Sequence, residues 1–219
     1  MAASAAPHAT FSSVIATSSF DPAWDKIELD QHVVLRGMAW KDYEVLLAIR
    51  GDSAGVRLYY LDGEIELMSP TRSHEGNKTM LARLLEMWAV EARIDLNGFG
   101  SWTLKDEPSE AGAEPDECYI LGPPGARDIP DLAIEVEWSH GGVAKHEIYR
   151  RLGVRELWTL QRDGRLVVRV LVKGSYVEQE RSKVLPKLDV AWLTSFLQYE
   201  SQSGAARALR DAMRKKRRR

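Results

Sequence analysis

The chain has 219 residues, 44% of them hydrophobic, enough for one domain with a sizeable core. Its single cysteine, Cys118, excludes an internal disulfide framework and a cysteine-based zinc site, and no apolar run reaches the ~18 residues of a membrane span. The formal charge of −2 is unevenly spread: Arg207 to Arg219 carry eight basic residues and one acid, leaving about −9 on residues 1–206, which argues against a protein that coats nucleic acid with its whole surface.

Residues 1–19 are rich in Ala, Ser and Thr and hold neither lysine nor arginine. That argues against a secretory signal or an organelle transit peptide and predicts a disordered N-terminal extension of a cytoplasmic protein. Residues 40–50 read as a helix, with Tyr43, Leu46, Leu47 and Arg50 at helical spacing. Strands at 56–61 and 65–69 flank Asp62-Gly63, a pair that accepts positive φ in a tight hairpin turn. The longest predicted helix, 73–95, carries Met80, Leu81, Leu84, Leu85, Trp88 and Ala92 as one apolar stripe. Asn97-Gly98 ends it, 99–104 reads as a strand, and 105–114 as an exposed loop. Strands at 116–121 and 131–138 follow, then a helix over 144–152. Strands at 156–161, 166–173 and 176–180 come next, and a helix over 190–199 turns Trp192, Leu193, Phe196 and Leu197 inward. The order predicts a mixed sheet with helices on its faces, α/β or α+β in class, spanning residues 20–203 as a single domain. Residues 204–219 form a basic C-terminal tail. Such a tail attracts phosphate backbones by counterion release; a solvated, frayed helix end is the alternative.

Two proline-aspartate steps stand out: Pro115-Asp116 and Pro130-Asp131. Alternation along 131–138 sends Leu132, Ile134 and Val136 one way and Asp131, Glu135 and Glu137 the other. Antiparallel pairing with 116–121 brings Asp116 near Glu135. Two carboxylates held together call for a cation, and a divalent metal with oxygen ligands is one answer; an acidic, half-solvated sheet face is the other. In the next helix Lys145 shares the apolar face of Ile148, Tyr149 and Leu152. A buried ammonium needs a partner, and Glu135 and Asp116 are the nearest in sequence, although the lysine can also snorkel to solvent. No phosphate-binding glycine loop and no serine-hydrolase elbow occurs, and His140 and His146 are not spaced as a zinc pair.

The run from Pro130 to Val136, followed by Lys145, Tyr149, Gly153-Val154 and Glu156-Leu157-Trp158, resembles the Uma family of restriction-endonuclease-like proteins, part of the PD-(D/E)xK nuclease superfamily. Upstream, residues 61–70 and His74 look like that family's opening hairpin. The resemblance covers roughly 43–176. It implies a restriction-endonuclease-like fold, a central mixed sheet of four or five strands flanked by helices, and a Mg²⁺-dependent (or Mn²⁺-dependent) endonuclease acting on DNA. Asp116 and Glu135 match the acidic pair, Lys145 the catalytic lysine, and Glu64 an upstream glutamate that completes the metal site. His74 matches a position able to touch a phosphate. Glu137 stands where the family tends to have an apolar residue, and His140-Gly141-Gly142 replaces a longer polar turn. The partners implied are DNA, with the basic tail on its phosphate backbone, no membrane, and an arrangement compatible with a homodimer. A non-catalytic nucleic-acid- or protein-binding module that keeps the fold is the alternative.

Overall fold

The computed structural model describes residues 29–53, 55–125, 127–137 and 142–217. The extension expected over 1–19 lies outside these residues, as do His140 and Gly141. Among them eleven strands form two sheets, with five helices around them, an α+β arrangement.

The first sheet starts with strand β1 (Gln31–Arg36), then helix α1 (Trp40–Arg50) and the hairpin β2 (Arg57–Leu61) and β3 (Glu64–Ser69). Asp62 and Gly63 take φ of 46° and 80°, as the predicted turn requires. The Asp42 carboxylate caps α1 by accepting from the Ala39 N–H at 2.8 Å. The hairpin does not join the motif strands. It is extended instead by the segment expected to be a loop, which forms β5 (Leu104–Asp106), a 3₁₀ turn (Glu107–Ser109) and β6 (Ala111–Ala113), in the order β1-β3-β2-β6-β5. Ala111 and Ala113 are buried, and a Cβ on Gly112 would lie 2.6 Å from the Tyr43 ring. Small side chains let this strand slip under an aromatic; its polar, acidic flanks are what read as loop.

The second sheet has the order β11-β10-β9-β8-β7-β4. Strand β4 is Leu96–Gly98, β7 is Glu117–Leu121 and β8 is Leu132–Glu137; β9 (Glu156–Gln161), β10 (Leu166–Val172) and β11 (Ser175–Gln179) complete it. β8 and β9 are parallel, joined through α3 (Lys145–Arg151); their neighbours are antiparallel. Two sheets thus replace the single sheet of four or five strands.

Helix α2 (Arg72–Ala92) starts at Thr71, whose hydroxyl accepts from the His74 N–H at 3.3 Å. Its stripe from Met80 to Trp88 is buried on Leu132, Ile134 and Val136 of β8. Fully burying such a side chain is worth ~1.5–3 kcal/mol, so this contact fixes β8 firmly. The helix expected over 190–199 is a short α4 (Val190–Thr194) followed by a 3₁₀ turn (Ser195–Gln198). Beyond it, much of the basic segment forms α5 (Gln202–Arg217), with Ala205, Ala206 and Leu209 buried and Arg214 reaching Glu91 of α2 at 2.7 Å. No helix among the described residues is long and apolar enough to cross a membrane.

Candidate active site

Strands β7 and β8 pair with Glu117 opposite Ile134, a register that sets Asp116 opposite Glu135. Both carboxylates are buried. Asp116 is reached from three directions. Its Oδ2 accepts from the Val136 N–H at 2.7 Å and sits 2.9 Å from His74 Nε2, while Arg57 Nε lies 2.9 Å from Oδ1. His74 is itself held at Nδ1, 2.8 Å from Asp30 Oδ2, and Asp30 accepts from the N–H of Thr71, the cap of α2. The result is a buried chain, Asp30–His74–Asp116, anchored at a helix start.

Glu135 is served from α3. Lys145 donates to its Oε2 at 2.8 Å, and Tyr149, one turn later on the same helix face, donates to Oε1. The Tyr59 hydroxyl of the first sheet lies 3.3 Å from Oε2, and the Lys145 ammonium stands 4.1 Å from the centre of the Tyr59 ring. The site therefore forms where the two sheets and α3 meet.

The electrostatics follow from burial set against these partners. Burial pushes Glu135 up, to about 7; Lys145 opposes the shift and the nearby charge of Asp116 adds to it. Asp116 is driven the other way, to about 2, because His74 and Arg57 outweigh its burial. Burial disfavours charge on His74, but Asp116 and Asp30 raise it to about 9. Lys145 is likewise held protonated, well above the ordinary lysine value, as Glu135 overcomes its burial.

Residues 40–202 match the Uma2 family, described as "Putative restriction endonuclease". The chain belongs to that family. A solved structure titled as a "putative nuclease" from Anabaena variabilis is similar to this Uma2 protein at 14% identity, over 64% of this chain and 90% of that one, with a TM-score of 0.46. No curated protein matches it.

Of the residues singled out in the Uma2 sequence, Asp116, Glu135 and Lys145 are brought together. Glu64 is not. It opens β3 directly after the turn, and its cross-strand partner Arg36 takes its carboxylate at 2.9 Å on a solvent-exposed rim. Two residues later on the same strand face, Glu66 is fully buried and is one of the charges felt by Lys145. It accepts from the Val143 N–H at 2.8 Å, pairs with His32 at 2.6 Å, and lies where a Cβ on Gly142 would collide with it. Glu66 thus clamps the chain entering α3. A charged residue flanked on its strand face by the buried Met68 was the available signal. His74 is enclosed between two aspartates and does not reach outward to a phosphate. Glu137 is exposed at the strand end, and Cys118 is a buried thiol pushed up to about 12 by desolvation. Asp30 and Arg57 carried no sequence signal, since their role depends on β1 and β2 being laid beside α2.

The donor chemistry of the Uma2 site fits a divalent cation. Asp116 and Glu135 are hard oxygen donors brought side by side by adjacent strands. Among the described residues no third His, Cys, Asp or Glu converges with them as a ligand set. Mg²⁺ commonly binds with one or two carboxylates, substrate oxygens and water supplying the rest.

Proposed function

We propose that this protein is a Mg²⁺- or Mn²⁺-dependent endonuclease that hydrolyses phosphodiester bonds in DNA. The observation that carries the reading is the convergence of Lys145 on Glu135 beside Asp116, supported by membership in the Uma2 family. Asp116 and Glu135 would hold the metal, which when bound polarises a phosphate and lowers the pKa of a water. Lys145 supplies a fixed positive charge for the phosphoryl oxygens as they gain charge, and its ammonium, kept protonated by Glu135, is ready in that form before substrate arrives. Tyr149 and Tyr59 orient Glu135 and keep its face toward Lys145. His74 and Asp30 keep Asp116 ionised and in place.

The test is plasmid cleavage with Mg²⁺, compared between the wild type and Lys145→Met. Methionine preserves most of the stem packing and deletes the charge. Cleavage is expected to fall by about a hundredfold or more, the scale of losing one preorganised charge donor, with DNA affinity nearly unchanged. Equal rates for the two proteins would remove Lys145 from the chemistry. Absence of any metal-dependent turnover by the wild type would favour a binding module on the same fold.

A further inference from the structure

Helices α2 and α5 lie side by side and run in the same direction. Gln202, at the start of α5, donates to the Gly76 carbonyl near the start of α2, and Arg214 near the end of α5 holds Glu91 near the end of α2. The lysines and arginines at 214–217 therefore sit at the far end of α2 from His74, ~25 Å away at 1.5 Å per residue.

Three clefts that share lining residues are spaced from Ser73 at one end to Arg217 at the other. One, of about 620 Å³, lies beside Ser73 and Asn77, next to His74, and includes Arg162 and Thr194. A second, of about 640 Å³, shares Thr194 with the first and is lined by Arg165, Arg181, Lys187 and Lys216. A third, smaller cleft shares Lys187 and Lys216 with the second and ends at Arg217 and Trp192. Among the described residues Arg181, Lys187 and Lys216 have no carboxylate partner. The acids of the second cleft are Glu180 and Asp189, and Asp189 is engaged in capping α4 through the Trp192 N–H. Six arginines and lysines thus line the groove these clefts make up, against four acids, Asp163, Glu180, Asp189 and Glu91, the last of them held by Arg214.

We propose that this groove is a track for one sugar-phosphate strand of DNA, leading from the active-site end of α2 to the basic end of α5. The proposal rests on the nuclease reading for its choice of DNA. A span of ~25 Å corresponds to about seven nucleotides of one strand of a duplex at 3.4 Å per step. The groove then contacts substrate remote from the scissile bond, so affinity depends on duplex length, while cations confined to the active site would show no such dependence.

The experiment measures binding of the full chain to labelled hairpin duplexes of about 5 and about 30 base pairs, the shorter one too short to span the ~7-nucleotide track, in EDTA, across a salt series. The protein is the wild type or an Arg181→Gln/Lys187→Gln/Lys216→Gln variant. For the long duplex the variant is expected to lose ~10-fold or more in affinity, and the slope of log affinity against log salt is expected to shrink by roughly two to three, one per lost phosphate contact. The short duplex is expected to change little. Should the triple variant unfold, Lys187→Gln alone is expected to reduce the slope by about one. An unchanged slope, equal losses for both duplexes, tighter binding to an RNA duplex than to DNA, or no binding by the wild type overturns the track. If the wild type binds with the expected slope but cleaves nothing with Mg²⁺, the nuclease reading fails while the track stands.

Discussion

The two proline-aspartate steps are near-identical in sequence and opposite in setting. Asp131, at the entry to β8, accepts from the Leu121 N–H at 2.8 Å and takes Arg127 and Arg155, whose side chains are 45% and 63% exposed. Asp116, before β7, takes Arg57 and His74, whose side chains are 4% and 0% exposed. Around Asp131 water screens the charges, so those pairs are worth little individually and serve to staple a strand end. Around Asp116 water is excluded, the same charges act strongly, and they reach the carboxyl opposite. The dipeptide sets where an aspartate stands on a strand. The exposure of its cations decides whether it is a staple or a site.

The sharpest way to break this comparison is to neutralise each aspartate in turn. Asp116→Asn is expected to lower Mg²⁺-dependent plasmid cleavage by about a thousandfold, the upper end for loss of a preorganised charge, whereas Asp131→Asn should remain within about threefold. Similar losses from both would mean that the two carboxylates act alike and that enclosure is irrelevant.

Stability against pH separates the two settings next. The folded His74 pKa of about 9 lies above its ordinary 6.5, so the folded state holds that proton more tightly than the unfolded chain. Its stabilisation is complete below pH 6.5 and disappears as pH rises through about 9, a loss on the order of 3 kcal/mol. Asp116 contributes with the reverse sign: present above 3.8, lost as pH falls through about 2. Urea unfolding between pH 6.5 and 10 should show the alkaline loss in the wild type and in Asp131→Asn, but not in His74→Gln. A parallel loss in His74→Gln would assign it to other groups.

A smaller effect is expected from the two glutamates of β3. Glu66→Gln keeps a carbonyl acceptor for Val143 but removes the charge beside Lys145, and cleavage should fall by roughly tenfold, mostly in kcat, as for one supporting contact. Glu64→Gln, on its exposed rim, should change the rate by no more than about twofold. The reverse order would return the upstream role to Glu64.

Much of this was legible in the sequence wherever one element carried the whole signal. The α2 stripe, the Asp62-Gly63 turn, the alternation of β8 and the placing of Lys145 one turn before Tyr149 depend only on local periodicity, and each stands as read. What the sequence hid depended on which elements meet. The 111–113 strand exists because Tyr43 covers it, α5 because α2 offers its apolar stripe, and the Asp30–His74–Asp116 chain because β1 begins beside Thr71. Glu64 and Glu66 share one strand face, so alternation alone does not choose between them. The choice comes from Arg36 on one side and from the close approach of Gly142 on the other.

Asp30 has a practical consequence for anyone trimming this protein. The family match begins at residue 40, yet Asp30 and the whole of β1 precede it. A fragment cut at that boundary would strip the outer strand from β3, leaving a bare edge open to strand-to-strand aggregation. It would also take away the carboxylate that steadies His74, and with it His32, the partner of Glu66. A recombinant fragment designed on the homologous region alone would therefore retain Asp116, Glu135 and Lys145 and still lack two of the residues that hold their surroundings in shape.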